Sequence, residues 1–402
     1  MTTLSFLPEF PPAASPLALF GLLLLAGLVG GELVKRVLRL PRIVGYMLSG
    51  LALGSSGLNL LDSGVVQESW IFVDIALGLI LFDLGRRLDL IWLKRDPWLA
   101  ATGVLESALS FTLVYCTLTW LDVQPLYAAV AAAIGIATSP AVAMVMTQEL
   151  RAEGQVTERM LGLTAINSVI AFVVMTMLLA GIHHEYRAGW RVALLHPAYL
   201  LAGSLVLGYL AALTVVALGR WLGKTERSHY VLVLGLSVLT IGAARALELS
   251  VVLSLLAFGV LSKNLDWRHD LMPFDVGRVG QLFVVVLFVV SGASLKTGDL
   301  MIGGALAAAF LLARFVGKSI GVLALTYFSG APRGAAGLLC LALTPMSGLA
   351  ISMVHGTTEL YPEFGERLAA IVLSGVLIME FVGPVAVQFA LRRAGEVTEE
   401  NK

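Results

Sequence analysis

Charge is what this 402-residue chain lacks most. Asp, Glu, Lys and Arg make up 13% of it, against about 25% in a soluble domain. The 27 basic and 27 acidic residues cancel, so the electrostatic footprint of a nucleic-acid binder is missing. Cysteine is scarce too. Cys116 and Cys340 fall in apolar runs without metal-like neighbours, so neither a disulfide framework nor a zinc site is expected. No G-x-x-x-x-G-K-[ST] phosphate loop occurs, and no dinucleotide-binding segment follows the last apolar run, which leaves ATP-driven pumping unsupported. No nucleophile–base constellation is visible, so neither an enzyme nor a cofactor is expected. Nothing basic precedes the first apolar run. Met1 to Pro16 therefore lacks the n-region of a signal peptide, and that run is expected to stay as a membrane helix.

What is present is apolar: 58% of the residues are hydrophobic and the mean hydropathy is +0.89. About 20 apolar residues cross a bilayer core as a helix. Thirteen runs fit that role, near 16–37, 42–54, 65–84, 98–120, 125–147, 158–182, 194–220, 229–244, 248–262, 277–293, 301–327, 335–355 and 367–391. The expected fold is an all-α polytopic membrane protein of 13 transmembrane helices, a single membrane unit over 1–402. Basic residues collect in cytoplasmic loops. With the N-terminus outside and the C-terminus inside, 20 of the 27 Lys and Arg are cytoplasmic, 5 are outside, and Arg314 and Lys318 lie within a span. The alternation holds loop by loop, from Lys35, Arg36, Arg39 and Arg42 to Arg392 and Arg393. Trp70, Trp98, Trp120 and Trp190 fall near span ends, as an interfacial belt requires.

Two spans carry helix breakers at their centres. The fifth holds Thr138-Ser139-Pro140, and the twelfth holds Thr344-Pro345-Met346-Ser347-Gly348. Proline removes a helical donor and clashes with the preceding turn. In lipid, such backbone survives only inside protein or along a cavity. Matched interruptions in two halves are a pointer to a transport site. They lie seven spans apart and so run in opposite directions. An inverted repeat of spans 1–6 and 8–13, with span 7 as connector, is expected.

Leu40-Pro41-Arg42-Ile43-Val44-Gly45-Tyr46, continuing through Gly50 and Gly54, resembles a segment of the monovalent cation:proton antiporters of the second cation/proton antiporter group. Leu79 to Leu90, with Phe82, Gly85 and Asp89, resembles the end of their next helix. Ala137-Thr138-Ser139-Pro140-Ala141-Val142 matches their first broken helix. Glu158 to Asn167 matches the start of their ion-binding helix, and Arg314-Phe315-Val316-Gly317-Lys318 resembles the basic segment before the second break. The resemblance implies two crossed broken helices and a transport core from spans within 98–182 and 301–391. It also implies a dimerisation part from spans within 16–84 and 194–293, a homodimer, elevator-like alternating access, and a monovalent cation (Na+ or K+) and H+ as substrates in a bacterial plasma (inner) membrane.

The chain departs from that pattern at one position. The family places a carboxylate after the asparagine of the ion-binding helix, and here the pair is Asn167-Ser168. A serine hydroxyl supplies a neutral oxygen to a cation and carries no exchangeable proton at working pH. Arg314 and Lys318 are four residues apart and share a helix face. A charge at the bilayer centre costs about 2.5–3.5 kcal/mol on insertion scales. Glu106, on the symmetry mate of their span, and Glu380, on the mate of the span holding Asn167, are candidate counter-charges, with Asp74 and Asp83 weaker ones. A bound anion is a further candidate, because broken-helix N-termini carry partial positive charge.

Three readings fit these residues. The first is cation:proton antiport with Thr138, Ser139, Asn167 and Ser168 as ligands and the proton moved to Lys318, Glu106 or Glu380. The second is transport of an anion or small organic acid on the same scaffold. The third is a regulatory homologue without transport. In the plainer interpretation of the same residues, Arg314 is a structural counter-ion to the broken-helix carbonyls. Glu106 is then one half of an ion pair, and Glu380 makes a packing hydrogen bond near Gly383-Pro384. The histidines read as loop or interface residues, with His355 at the outer end of the second broken helix.

Overall fold

A computed structural model describes residues 16–61, 63–88, 90, 96–186, 190–223, 226–266, 277–295, 297–330, 334–360 and 365–398. Among them fifteen helices are defined: α1 (Pro16–Leu38), α2 (Arg42–Leu53), α3 (Ser63–Arg87), α4 (Pro97–Trp120), α5 (Pro125–Ile136), α6 (Pro140–Leu150), α7 (Gln155–Tyr186), α8 (Trp190–Leu222), α9 (Glu226–Ala246), α10 (Val251–Leu265), α11 (Gly277–Ser294), α12 (Thr297–Thr326), α13 (Ala335–Ala342), α14 (Gly348–Leu360) and α15 (Gly365–Ala394). No strand occurs among the described residues. A chain this apolar must satisfy its backbone polar groups internally, and a helix does so within one segment. Among the described residues, seven helical stretches are long and apolar enough to cross a membrane, and Arg42–Leu53, Val251–Leu265 and Gly280–Ser294 are shorter apolar helices. The apolar runs of the sequence coincide with helices to within a few residues. The runs at 125–147 and 335–355 are each two helices separated by non-helical backbone.

Local chemistry sets the helix starts. Asp96 accepts a hydrogen bond from Leu99 N at 3.2 Å, with Pro97 at the first helical position of α4. Ser250 does the same for α10 through Leu253 N at 3.1 Å. The start of α7 is closed from far along the chain. The Glu396 carboxylate accepts from Val156 N at 2.7 Å and Thr157 N at 2.8 Å, two donors that α7 itself leaves unmatched. A carboxylate there also suits the positive end of the helix dipole.

The helices group into two compact units, one comprising residues up to Val73 with Leu282–Leu295 and the other Asp74–Gln281 with Lys296 onward. In the first, α1 and α2 meet through small residues: a methyl added at Gly45 would fall on the backbone of Gly30 and Gly31. The glycines of the 40–54 motif therefore allow backbone-to-backbone contact, and Gly50 does the same against Val289 of α11. In the second, α8 lies along α10, and the Phe82 ring lies 4.5 Å from that of Phe258, tilted by 46°, in a cluster with Ala212, Val215 and Leu255.

The most extensive pairing in the second unit is α4 with α12. A methyl at Gly317 would lie 2.7 Å from Ser110 Cα, and one at Gly321 would fall on the backbone and Cβ of Glu106. Gly321→Ala is therefore expected to cost about 1–3 kcal/mol through overpacking, read as a lower unfolding midpoint in detergent. Gly304→Ala, on the same helix but facing open space, is the control and is expected to be neutral or mildly stabilising. Equal midpoints for the two variants would contradict the close approach of α4 and α12.

Candidate functional site

The two interruptions lie against each other. Helix α5 ends at Ile136, residues 137–139 are non-helical, and Pro140 opens α6 with Ser139 as its cap through Val142 N at 3.2 Å. Helix α13 ends at Ala342, and 343–347 are non-helical before α14 begins at Gly348. Ser139 N donates to Pro345 O at 3.0 Å, Thr138 Oγ1 donates to Leu343 O at 3.4 Å, and the hydroxyls of Ser139 and Ser347 hydrogen-bond to each other. Proline and the two short polar stretches explain the breaks. Freed backbone groups need partners away from water, and each interruption supplies them to the other.

Arg314 holds the rest. Its Nε donates to Gly135 O at 2.9 Å, one terminal nitrogen donates to Thr344 O at 2.7 Å, and the other to Ala137 O at 2.8 Å, with Pro345 O at 3.3 Å and Leu343 O at 3.5 Å. The residue is 1% exposed. These carbonyls lie in the last turn of α5 and in the two interruptions that follow α5 and α13. They form the negative ends of two short helix dipoles. A fork of five donors suits that fan of acceptors as an ammonium would not. The plainer interpretation of Arg314, a counter-ion to broken-helix carbonyls, matches this geometry.

Lys318 lies one turn further along α12. Its Nζ donates to Glu106 Oε2 of α4 at 2.9 Å and to Thr138 Oγ1 at 3.2 Å. The two side chains are 2% and 0% exposed, so this is a fully buried ion pair. Thr138 Oγ1 also accepts from Asn167 Nδ2 at 3.2 Å, and Asn167 Oδ1 accepts from Ser107 Oγ at 3.3 Å. Thr138 thus has both lone pairs and its proton engaged. Ser168 Oγ donates to Thr164 O at 2.8 Å, one turn back on α7. A hydroxyl bonded to its own helix keeps only lone pairs to offer.

Of the residues singled out in the sequence, Thr138, Ser139, Asn167, Arg314, Lys318, Glu106, Thr344, Pro345 and Ser347 form one hydrogen-bonded group. Pro140 and Gly348 begin the second halves of the broken helices, and Ser168 adjoins the group through Asn167. Glu380 stands apart. It is fully buried, and both of its carboxylate oxygens lack a hydrogen-bond partner. The expected packing hydrogen bond near Gly383-Pro384 is absent at those atoms. Asp74 pairs with Arg245 instead of the central lysine, and Asp83 accepts from Gln148 Nε2 at 3.3 Å. His229 is buried with a ring nitrogen 3.1 Å from Gly219 O, and the side chain of His355 lies outside the described residues. Ser107 was not read from the sequence. One hydroxyl among many on α4 gives no periodic signal.

Apolar helices of membrane-crossing length around a buried, charge-bearing pair of interrupted helices define a multi-pass membrane protein of transporter type. Residues 20–393 match the family described as sodium/hydrogen exchanger, transmembrane, and the chain belongs to that family. It is 26% identical over 292 residues, 69% of each chain, to the ammonium/H(+) antiporter subunit AmhT of Alkalihalophilus pseudofirmus. Its fold is similar to structures of the sodium proton antiporter MjNhaP1 from Methanocaldococcus jannaschii. One, described at pH 8, has TM-score 0.73 and 16% identity over 94% of this chain and 98% of the other. A second, from electron microscopy, has TM-score 0.71 and 17% identity over 95% and 98%.

Proposed function

We propose that this protein is a secondary antiporter that exchanges a monovalent cation for H+ across a bacterial inner membrane. Charge balance at the centre is the observation that carries the choice of a cation. Lys318 is neutralised by Glu106, and Arg314 by the carbonyl ends of α5 and α13. These two buried basic residues are matched in number by the two buried acids Glu106 and Glu380, so the positive excess that favoured an anion is absent. Na+ and K+ are the proposed cations, and the ammonium/H(+) antiporter relative adds ammonium as a third.

The chain crosses the bilayer thirteen times in this reading, with its N-terminus outside and C-terminus inside. Spans 1–6 and 8–13 form an inverted repeat whose two broken helices cross at the centre. A core from 98–182 and 301–391 moves like an elevator against a dimerisation part from 16–84 and 194–293, in a homodimer. Ser168 replaces the carboxylate that the family resemblance places there. Ser139, Asn167 and Ser168 line the ion's route with neutral oxygens, Thr138 ties Asn167 and Lys318 to the interruptions, and the Glu106–Lys318 pair fixes the local charge. Support comes from family membership, from mutual contact of the interruptions and from burial of every charged group at the centre.

The test is transport by purified protein in proteoliposomes carrying an inside-acid pH gradient and a pH-sensitive dye. Pulses of Na+, K+ or ammonium salt are expected to dissipate the gradient, and the choline salt is not. Absence of cation-dependent dissipation at every pH tried would sink the proposal.

A further inference from the structure

Glu380 is a buried charged group in the middle of a long span of the second unit that the network around Arg314 and Lys318 does not engage. It sits on α15, is fully buried, and neither carboxylate oxygen has a partner. Pro384 follows four residues later within the same helix. Proline has no N–H, so the backbone carbonyl of Glu380 also loses its usual helical donor. Gly383, one turn along the same face, packs against the second interruption: a methyl there would lie 3.0 Å from Pro345 Cα. Glu380 thereby lies on the helix that packs against the second interruption.

Among the described residues, the surrounding helices bring no cation to it. Arg314 of α12 spends its donors on carbonyls, and Lys318 of α12 spends two on Glu106 and Thr138. Helices α5 and α13 carry no charged residue. Arg159 of α7 pairs with Asp96 at 3.2 Å, and Glu149 of α6 and Glu158 of α7 add only acids near those helices' ends. On α14, His355 and Glu359 have side chains outside the described residues. On α15 itself the described basic side chains are Arg392 and Arg393, in the last turn.

A carboxylate in an apolar interior without a partner costs several kcal/mol or more by desolvation. Two states remove that cost: a proton on the carboxyl, or a cation against it. We infer that Glu380 is the exchanging group, binding either H+ or a monovalent alkali cation. The step is R–COOH plus M+ giving R–COO–·M+ plus H+, with no other reactant. It deepens the antiport reading and rests on it. Glu106 is unsuited to the task, because Lys318 already neutralises it. Ser168 is unsuited because its hydroxyl proton is not exchangeable at working pH.

The experiment is labelling of purified wild-type protein with N,N′-dicyclohexylcarbodiimide, which reacts with protonated carboxyls in apolar surroundings. Adducts are located by peptide mass spectrometry. In choline chloride, Glu380 is expected to be labelled. In NaCl or KCl at equal ionic strength, its labelling is expected to fall severalfold. Glu106, held by Lys318 in the same protein, is expected to take little label in either salt, so the wild-type protein carries its own control and loss of fold in Glu380→Gln does not decide the matter. No label at Glu380, or label indifferent to both cations, overturns the assignment. So does intact cation-dependent proton exchange by Glu380→Gln in proteoliposomes. Failure of wild-type transport overturns the antiport reading instead, and the two failures are read from separate assays.

Discussion

Arg314→Ala is expected to leave little folded protein. The guanidinium fills the space between two interruptions whose carbonyls have no helical donors, at 2.7–2.9 Å for its three shortest bonds. Truncation takes this donor from the buried carbonyls of Ala137 and Thr344, and each unmatched buried acceptor costs about 1–3 kcal/mol, to which the cavity left by the side chain adds. Total stability of a domain is only about 5–15 kcal/mol. The measurements are the monodisperse yield on size exclusion and the unfolding midpoint in detergent. Arg314→Lys is expected to recover part of the loss. An ammonium restores the charge but cannot span the carbonyls of Gly135, Ala137 and Thr344 together. A wild-type midpoint for Arg314→Ala would mean that the interruptions hold each other without it.

The second large effect belongs to the Glu106–Lys318 pair. Either Glu106→Gln or Lys318→Met strands one charge in a site where the partners are 0% and 2% exposed. Each single change is expected to cost about 3–5 kcal/mol, whereas replacing both by uncharged side chains is expected to cost much less. A double-mutant cycle of unfolding midpoints reads the coupling, expected to exceed the cost of either single change and so to be at least about 3 kcal/mol. Additive effects would show that the pair is not coupled in the folded protein. The same cycle run on transport separates stability from ion handling. If Glu380 is the exchanging acid, the double variant folds and still carries it.

The membrane character of the chain and the positions of its helices were open to sequence reasoning because they depend on local composition. An apolar run of sufficient length has little choice but helix in lipid, and α4, α7 and α15 lie where such runs fall. The two interruptions were equally open, since Pro140, Pro345 and their polar neighbours act within one turn. The ion pair was half open. Two basic residues on one helix face demand an acid, and the repeat pointed to Glu106 without saying whether Arg314 or Lys318 would take it.

Partnership was decided only in three dimensions. Arg314 and Lys318 share a face of α12, but α4 presents its acid one turn from Arg314, so Lys318 receives the carboxylate and Arg314 the carbonyls. Glu380 looked like a residue with a packing hydrogen bond, because Gly383 and Pro384 suggested irregular backbone nearby. Folding instead turns Gly383 onto Pro345 and leaves the carboxyl without a partner. Ser107 joins Asn167 across 60 residues, and Glu396 closes the start of α7 across 240. The sequence by itself determined the solvent, the helices and the points where they break, since each follows from residues within a few turns. Which charges cancel, and which acid remains over, was decided by tertiary contacts between distant helices, because burial and pairing belong to the packed structure and not to any one segment.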